Sequence, residues 1–145
     1  MMMKIYLSAC LLLFFSSGEW LTNFDSAKES AEKRQKFILL NFSGSDWCAP
    51  CIKMRRGVFE NESFLEFAEQ NLVLLQADFP RMKKNHQSKE QVKHNEWLAE
   101  KYNPEGRFPF TVLIDPTGAV RKRWDGYSDQ SAESFVTDLQ ALIEK

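Results

Sequence analysis

The sequence is poor in the residues that would commit it to several structural classes. Three cysteines in 145 residues are too few for a scaffold of many disulfide bridges. Two histidines leave little from which to build a metal centre. The 19 basic and 20 acidic side chains nearly cancel, so nothing in the balance suggests a nucleic-acid partner, which would normally need a basic face. No apolar run reaches the roughly 20 residues of a bilayer-spanning helix. Internal repeats and low-complexity segments are absent as well. What is present, a chain with 43% hydrophobic residues, has the composition of one folded domain.

The first eighteen residues differ from the rest. Lys4 gives them a positive start, Ile5 to Phe15 is an almost unbroken apolar run, and Ser16-Ser17-Gly18 supplies small residues. That order predicts a secretory signal peptide over 1–18 and a mature domain over 19–145. Leu7-Ser8-Ala9-Cys10 is similar to a lipoprotein cleavage box, which makes a lipid or membrane tether the competing expectation. The main apolar stretch, Leu11 to Phe15, would then fall on the wrong side of the cut. With Cys10 removed, the exported chain keeps only Cys48 and Cys51, a local pair.

Along the chain, Asn23 to Lys36 fits a surface helix. Phe37 to Phe42 and Leu72 to Asp78 are short apolar runs of the kind expected for strands buried on both faces. Between them the loop Ser43 to Asp46 leads into a helix starting near Cys48, where Pro50 is tolerated in the first turn. Asn61 or Ser63 caps a further helix through Gln70. Pro80 to Gln87 reads as a basic loop, and Ser88 with Gln91 as a capping box that opens a helix to about Tyr102. Phe110 to Asp115 and Ala119 to Trp124 form a hairpin, and Ser131 to Ile143 closes the chain as a helix. The expected fold is α/β, a central mixed sheet with helices on both faces.

Cys48-Ala49-Pro50-Cys51 carries the chemistry. A helix N-terminus presents unpaired N–H groups and partial positive charge, which stabilise a thiolate. Cys48, at that terminus, is the expected nucleophile. Cys51, one turn further in and more buried, is the expected resolving thiol. Lowering a thiol pKa from about 8.5 to about 7 raises the thiolate fraction at neutral pH roughly 16-fold. Lower basicity returns about 5-fold of that in nucleophilicity, so redox poise, more than attack rate, is what the helix tunes. Zinc would need His86 and His94 as well, and their seven intervening residues miss the usual spacing. A structural disulfide is the better competitor, although so small a loop restrains few unfolded conformations. No metal or organic cofactor is implied.

Trp47-Cys48-Ala49-Pro50-Cys51 resembles the Trp-Cys-x-Pro-Cys active site of the thioredoxin superfamily. Gly44-Ser45-Asp46-Trp47, Asp78-Phe79-Pro80 and Phe108-Pro109 are similar to exported bacterial thioredoxin-like proteins. They are also similar to the periplasmic domain of a membrane electron transporter. The likeness implies a thioredoxin-like fold acting on protein disulfides in the periplasm, as a monomer. It also implies an electron donor that the sequence does not identify, with a membrane thiol–disulfide transporter as one candidate. It implies a cis Pro109 facing the cysteines, with the Phe108 backbone, Trp47, Pro50 and Gly126 lining the substrate groove. The alternatives are a redox-inactive binding module on the same fold, and an oxidant or isomerase.

Three departures from the family pattern set further expectations. Asn41 stands where a buried acid usually takes the proton of the second cysteine, and Gln76 where a lysine often accompanies it. Cys51 would then lose its proton to water or to a group such as Asp46. Phe110 and Arg107, flanking Phe108-Pro109, would reshape the groove. The segment Arg81 to Lys89 is longer than its family counterpart, and its positive charges would meet an acidic partner or simply solvent.

Overall fold

Six of the seven residues of the strand Phe37–Ser43 are buried, all but Phe37, and the domain is organised around it. The computed structural model describes residues 18–144; the signal-peptide and Cys10 expectations, Gly18 apart, lie outside the described residues. In chain order the elements are β1 (Trp20–Leu21), α1 (Phe24–Arg34), β2 (Phe37–Ser43), α2 (Ala49–Met54), a π-helical turn (Arg55–Phe59) and α3 (Glu62–Asn71). They continue with β3 (Leu72–Asp78), a 3-10 turn (Lys83–Asn85), α4 (Lys89–Tyr102), β4 (Phe110–Ile114), β5 (Val120–Asp125) and α5 (Ala132–Ile143).

The five strands lie in the order β1-β3-β2-β4-β5. β3 runs parallel to β1 and β2, while β4 is antiparallel to both β2 and β5. This is the thioredoxin-like α/β arrangement. Because strand side chains alternate between faces, β2 serves two cores. Ile38, Leu40 and Phe42 pack with Phe24, Ala27 and Ala31 of α1 and Leu98 and Tyr102 of α4. Leu39 packs on the opposite face with Met54, Phe59, Phe64, Phe135 and Leu139, from α2 through α3 and from α5.

Four of the five α-helices begin on an oxygen-bearing side chain that satisfies an otherwise unpaired N–H. The Asn23 side chain accepts from Ser26, Asn61 from Ser63, Ser88 from Gln91 and Ser131 from Ser134. The Ser88–Gln91 box is half formed, since the Gln91 side chain reaches Thr22 and Asn95 instead. β1 and the π turn had no sequence expectation. Two residues are too short to display a period of two, and a π turn is one residue's insertion into an ordinary helical pattern.

The fold delivers two adjacent parallel strands, β2 and β3, to one edge. Their C-terminal ends lead respectively into the loop before Cys48 and into Phe79-Pro80-Arg81.

Candidate active site

Cys48 is the N-cap of α2. Its backbone is extended (φ −90°, ψ 102°), its Sγ accepts the Cys51 N–H at 3.3 Å, and its own N–H donates to the Gly44 carbonyl at 2.9 Å. The two sulfurs are joined in a disulfide, with Cα atoms 5.2 Å apart. Burial does not separate the cysteines as expected: Cys48 is 5% exposed and Cys51 4%. Their surroundings do. Cys48 caps the helix, whereas Cys51 lines a cavity of about 70 Å³ with Asn41, Ser43, Ser45, Gln76 and Arg55.

Two carboxylates hold the loop before Cys48. Asp78, at the end of β3, accepts from Ser45 twice, from the backbone N–H at 2.9 Å and from the hydroxyl at 2.5 Å. Asp46 accepts from the Arg81 and Met82 N–H groups, each at 2.9 Å, and from the Asn85 amide at 3.0 Å. Those donors, Arg81 first, hold the Asp46 carboxyl below its ordinary value of 3.8. Both Asp46 oxygens face the basic segment, and Asp46 is not among the residues lining the cavity beside Cys51, which corrects the expectation that Asp46 takes the Cys51 proton. Its work is to latch the basic segment to the active-site loop.

A group whose folded pKa is depressed contributes above its ordinary value and stops contributing as pH falls through the depressed one. The latch is therefore intact at neutral pH and opens only as the pH drops below 3.8. Asp46→Ala should expose Lys83 and Lys84 to trypsin at pH 7 several-fold faster than in the wild type. Equal rates of cleavage would contradict the latch.

Trp47 is held on several sides. Its indole Nε1 donates to the Phe79 carbonyl at 2.7 Å, the Arg81 guanidinium lies 3.7 Å from the ring centroid, and Phe108 meets it edge-on at 5.5 Å. Gly44 is required by close approach, because a Cβ there would lie 2.3 Å from the indole. Trp47 is half-buried, at the rim of the site.

The Phe108–Pro109 peptide is cis, and the Pro109 carbonyl accepts from the Gly126 N–H at 2.9 Å. Gly126 has a φ of +78°, and a Cβ there would meet nothing within 4 Å. The left-handed backbone, not crowding, asks for glycine. Phe110 is 8% exposed and packs into the core against Phe42, and the little surface it keeps lines a pocket with Arg107. Arg107 is tied to Glu105 and Asp125 by ion pairs of 2.6 Å.

Asn41 and Gln76 sit opposite each other on β2 and β3. Asn41 is 4% exposed, and its amide donates to Thr111 Oγ1 at 3.0 Å. Neither Thr111 as its partner nor Ser45 and Asp78 as a hydrogen-bonded pair could be read from the sequence, since each needs the register across strands. His94 Nε2 accepts from the Phe24 N–H, and among the described residues no group of three or more potential metal ligands converges.

A family model described as thioredoxin-like matches residues 19–116. The curated relatives include "Disulfide bond reductase DsbH" of Chlamydia pneumoniae, 34% identical over 122 residues, covering 84% of this chain and 71% of the relative. A second, "Thioredoxin-related protein DsbJ" of the same organism, is 26% identical over 125 residues. Those cover 86% of this chain but only 35% of that longer relative. Among solved structures, a DsbH oxidoreductase superposes with a TM-score of 0.77 at 32% identity, covering 87% of this chain and 84% of its own.

Proposed function

The chain belongs to the thioredoxin-like family and is a thiol–disulfide oxidoreductase; from that premise we propose that it reduces protein disulfides outside the cytosol. The observation that carries the reading is the position of Cys48, N-cap of α2 with its Sγ accepting a helix N–H. A sulfur so placed becomes a stabilised thiolate on reduction. The relative named a disulfide bond reductase supports the direction, and the charge–apolar–small order of residues 1–18 supports export to a periplasm.

In the forward reaction the Cys48 thiolate attacks a substrate disulfide, forming a mixed disulfide and releasing one substrate thiolate. Cys51 then attacks Cys48 Sγ, releasing the second and leaving the Cys48–Cys51 disulfide. An electron donor, for which a membrane thiol–disulfide transporter has suitable chemistry, restores the dithiol. Trp47, Pro50, Phe108, Pro109 and Gly126 form the substrate side. An extended segment pairs with the Phe108 backbone by strand addition, beside the indole of Trp47.

Cys51→Ser isolates the first step. Incubated with an oxidised protein substrate, the variant should accumulate a mixed disulfide through Cys48, seen by mass spectrometry as a species cleaved by dithiothreitol. A covalent adduct through any other residue, or none, would sink the assignment.

The basic segment serves the same reading. Asp46 and Trp47 fasten Arg81 beside the cysteines, and Lys83, Lys84 and Lys89 are exposed. They favour an acidic partner. Lys83→Glu, Lys84→Glu and Lys89→Glu together should slow reduction of that partner about tenfold at low salt, with the difference shrinking as salt screens it. An unchanged rate with unchanged salt dependence makes the segment a solvated loop.

A further inference from the structure

Resolution of the mixed disulfide requires Cys51 to lose a proton, and no acid occupies the strand beneath it. Asn41 cannot serve as a base, and Asp46 is turned toward Arg81, Met82 and Asn85. The cavity that Cys51 lines nevertheless carries polar side chains, Asn41, Ser43, Ser45 and Gln76, opposite an apolar wall that includes Ile52 and Phe59. At about 70 Å³ it has room for water, and the neutral side chains give such water the two to four partners, roughly, that it needs. Ser45 connects this chamber to a carboxylate, because its hydroxyl donates to Asp78 Oδ2 at 2.5 Å. The Ser45 N–H fixes the other oxygen, Oδ1, at 2.9 Å.

We propose that Asp78, acting through the Ser45 hydroxyl and cavity water, receives the proton that Cys51 gives up as it resolves the mixed disulfide. The inference rests on the roles of Cys48 and Cys51 proposed above. The Cys51 thiol proton passes to water, water protonates the Ser45 oxygen, and the Ser45 hydroxyl proton passes to Asp78. The Cys51 thiolate forms a bond to Cys48 Sγ, and the bond from Cys48 Sγ to the substrate sulfur breaks. The substrate sulfur leaves with the electron pair and is protonated by solvent, while Asp78 returns its proton through Ser45 to the cavity water and so to bulk solvent, Cys51 now being held in the disulfide. Asp78 and Ser45 are thus positioning residues of a proton path, since neither touches a reacting sulfur.

Other charges near the path are few. Arg55 lines the cavity and is ion-paired with Glu60 at 3.3 Å. On its other side Asp78 shares a pocket with His86, and its backbone carbonyl accepts from Asn95. None of these puts a carboxylate into the cavity lining, and Asp78 is linked to that lining through Ser45.

The two sulfur steps separate with a symmetrical aromatic disulfide, such as the bis(nitrobenzoate), that releases one coloured thiolate when Cys48 attacks and another when Cys51 resolves. Stopped-flow traces would be compared across pH for wild type, Ser45→Ala and Asp78→Asn. An unassisted thiol of pKa about 8.5 is only about 3% ionised at pH 7, so losing the path costs up to about 30-fold. Both variants should slow the second release about tenfold or more at pH 7, with the gap closing to under twofold near pH 9.5. The first release should stay within about twofold of wild type. Ser45→Ala leaves the Ser45 N–H to hold Asp78, which guards against a folding artefact in Asp78→Asn. Asn41→Asp, which puts a carboxylate into the same cavity, should restore the second release in Asp78→Asn. The proposal is overturned if the second release is unchanged, if its slowing persists at high pH, or if both releases slow together. A wild type with no first release would instead overturn the role of Cys48, so the two failures are distinguishable.

Discussion

Cys48→Ser reduces insulin no faster than dithiothreitol alone, a loss of at least about 1,000-fold if deletion of a nucleophile here resembles that in other enzymes. The size follows from chemistry: a serine hydroxyl is un-ionised at neutral pH, and an oxygen cannot form the mixed disulfide on which turnover depends. The variant keeps the fold, because the N-cap needs an acceptor for the Cys51 N–H and serine is among the best residues there. Loss of activity with unchanged thermal unfolding therefore reports chemistry. Activity equal to wild type would reduce the cysteine pair to a structural staple.

Phe135→Ala destabilises the domain by about 3–5 kcal/mol, the usual consequence of emptying a phenylalanine site in a closed core. Phe135 is 1% exposed on α5, and its ring lies 5.2 Å from Trp124, 6.2 Å from Phe64 and 6.3 Å from Phe59. It joins the last strand, α3 and the π turn that continues the active-site helix. Against a total stability of about 5–15 kcal/mol, that is a large share of the margin. Urea unfolding should show a lower midpoint with a nearly unchanged slope. A shift under about 1 kcal/mol would mean that α5 is not a full member of this core.

Both predictions rest on features of unequal legibility. The strands at Phe37–Phe42 and Leu72–Asp78 announced themselves, because a strand buried on both faces is mostly apolar, here with Asn41 and Gln76 as interruptions. Helix starts were readable wherever a capping side chain preceded a periodic run, as at Ser88 and Ser131. Cys48 was legible as the start of a helix from the strand before it and the proline after it. What the sequence could not disclose depends on which residues face each other across strands. Ser45 meets Asp78 from 33 positions away, and Asn41 meets Thr111 from 70. Phe110 adds a case: the family pattern pointed to the groove, and only the alternation of β4 shows its ring turned toward Phe42. The basic segment looked like free loop, because its anchor, Asp46, lies on the far side of the active-site motif.

The reductase reading is tested most directly by the reduction potential of the Cys48–Cys51 pair, measured by equilibration with glutathione redox buffers and quantified by alkylation. A reductase should poise near thioredoxin, at about −270 mV, and an oxidant near about −120 mV. The gap of about 150 mV is roughly five powers of ten in the equilibrium constant, so the two outcomes cannot be confused. The expected value lies close to the thioredoxin end. A value close to the oxidant end would contradict the reductase reading, and would make the same cysteine pair a donor of disulfides.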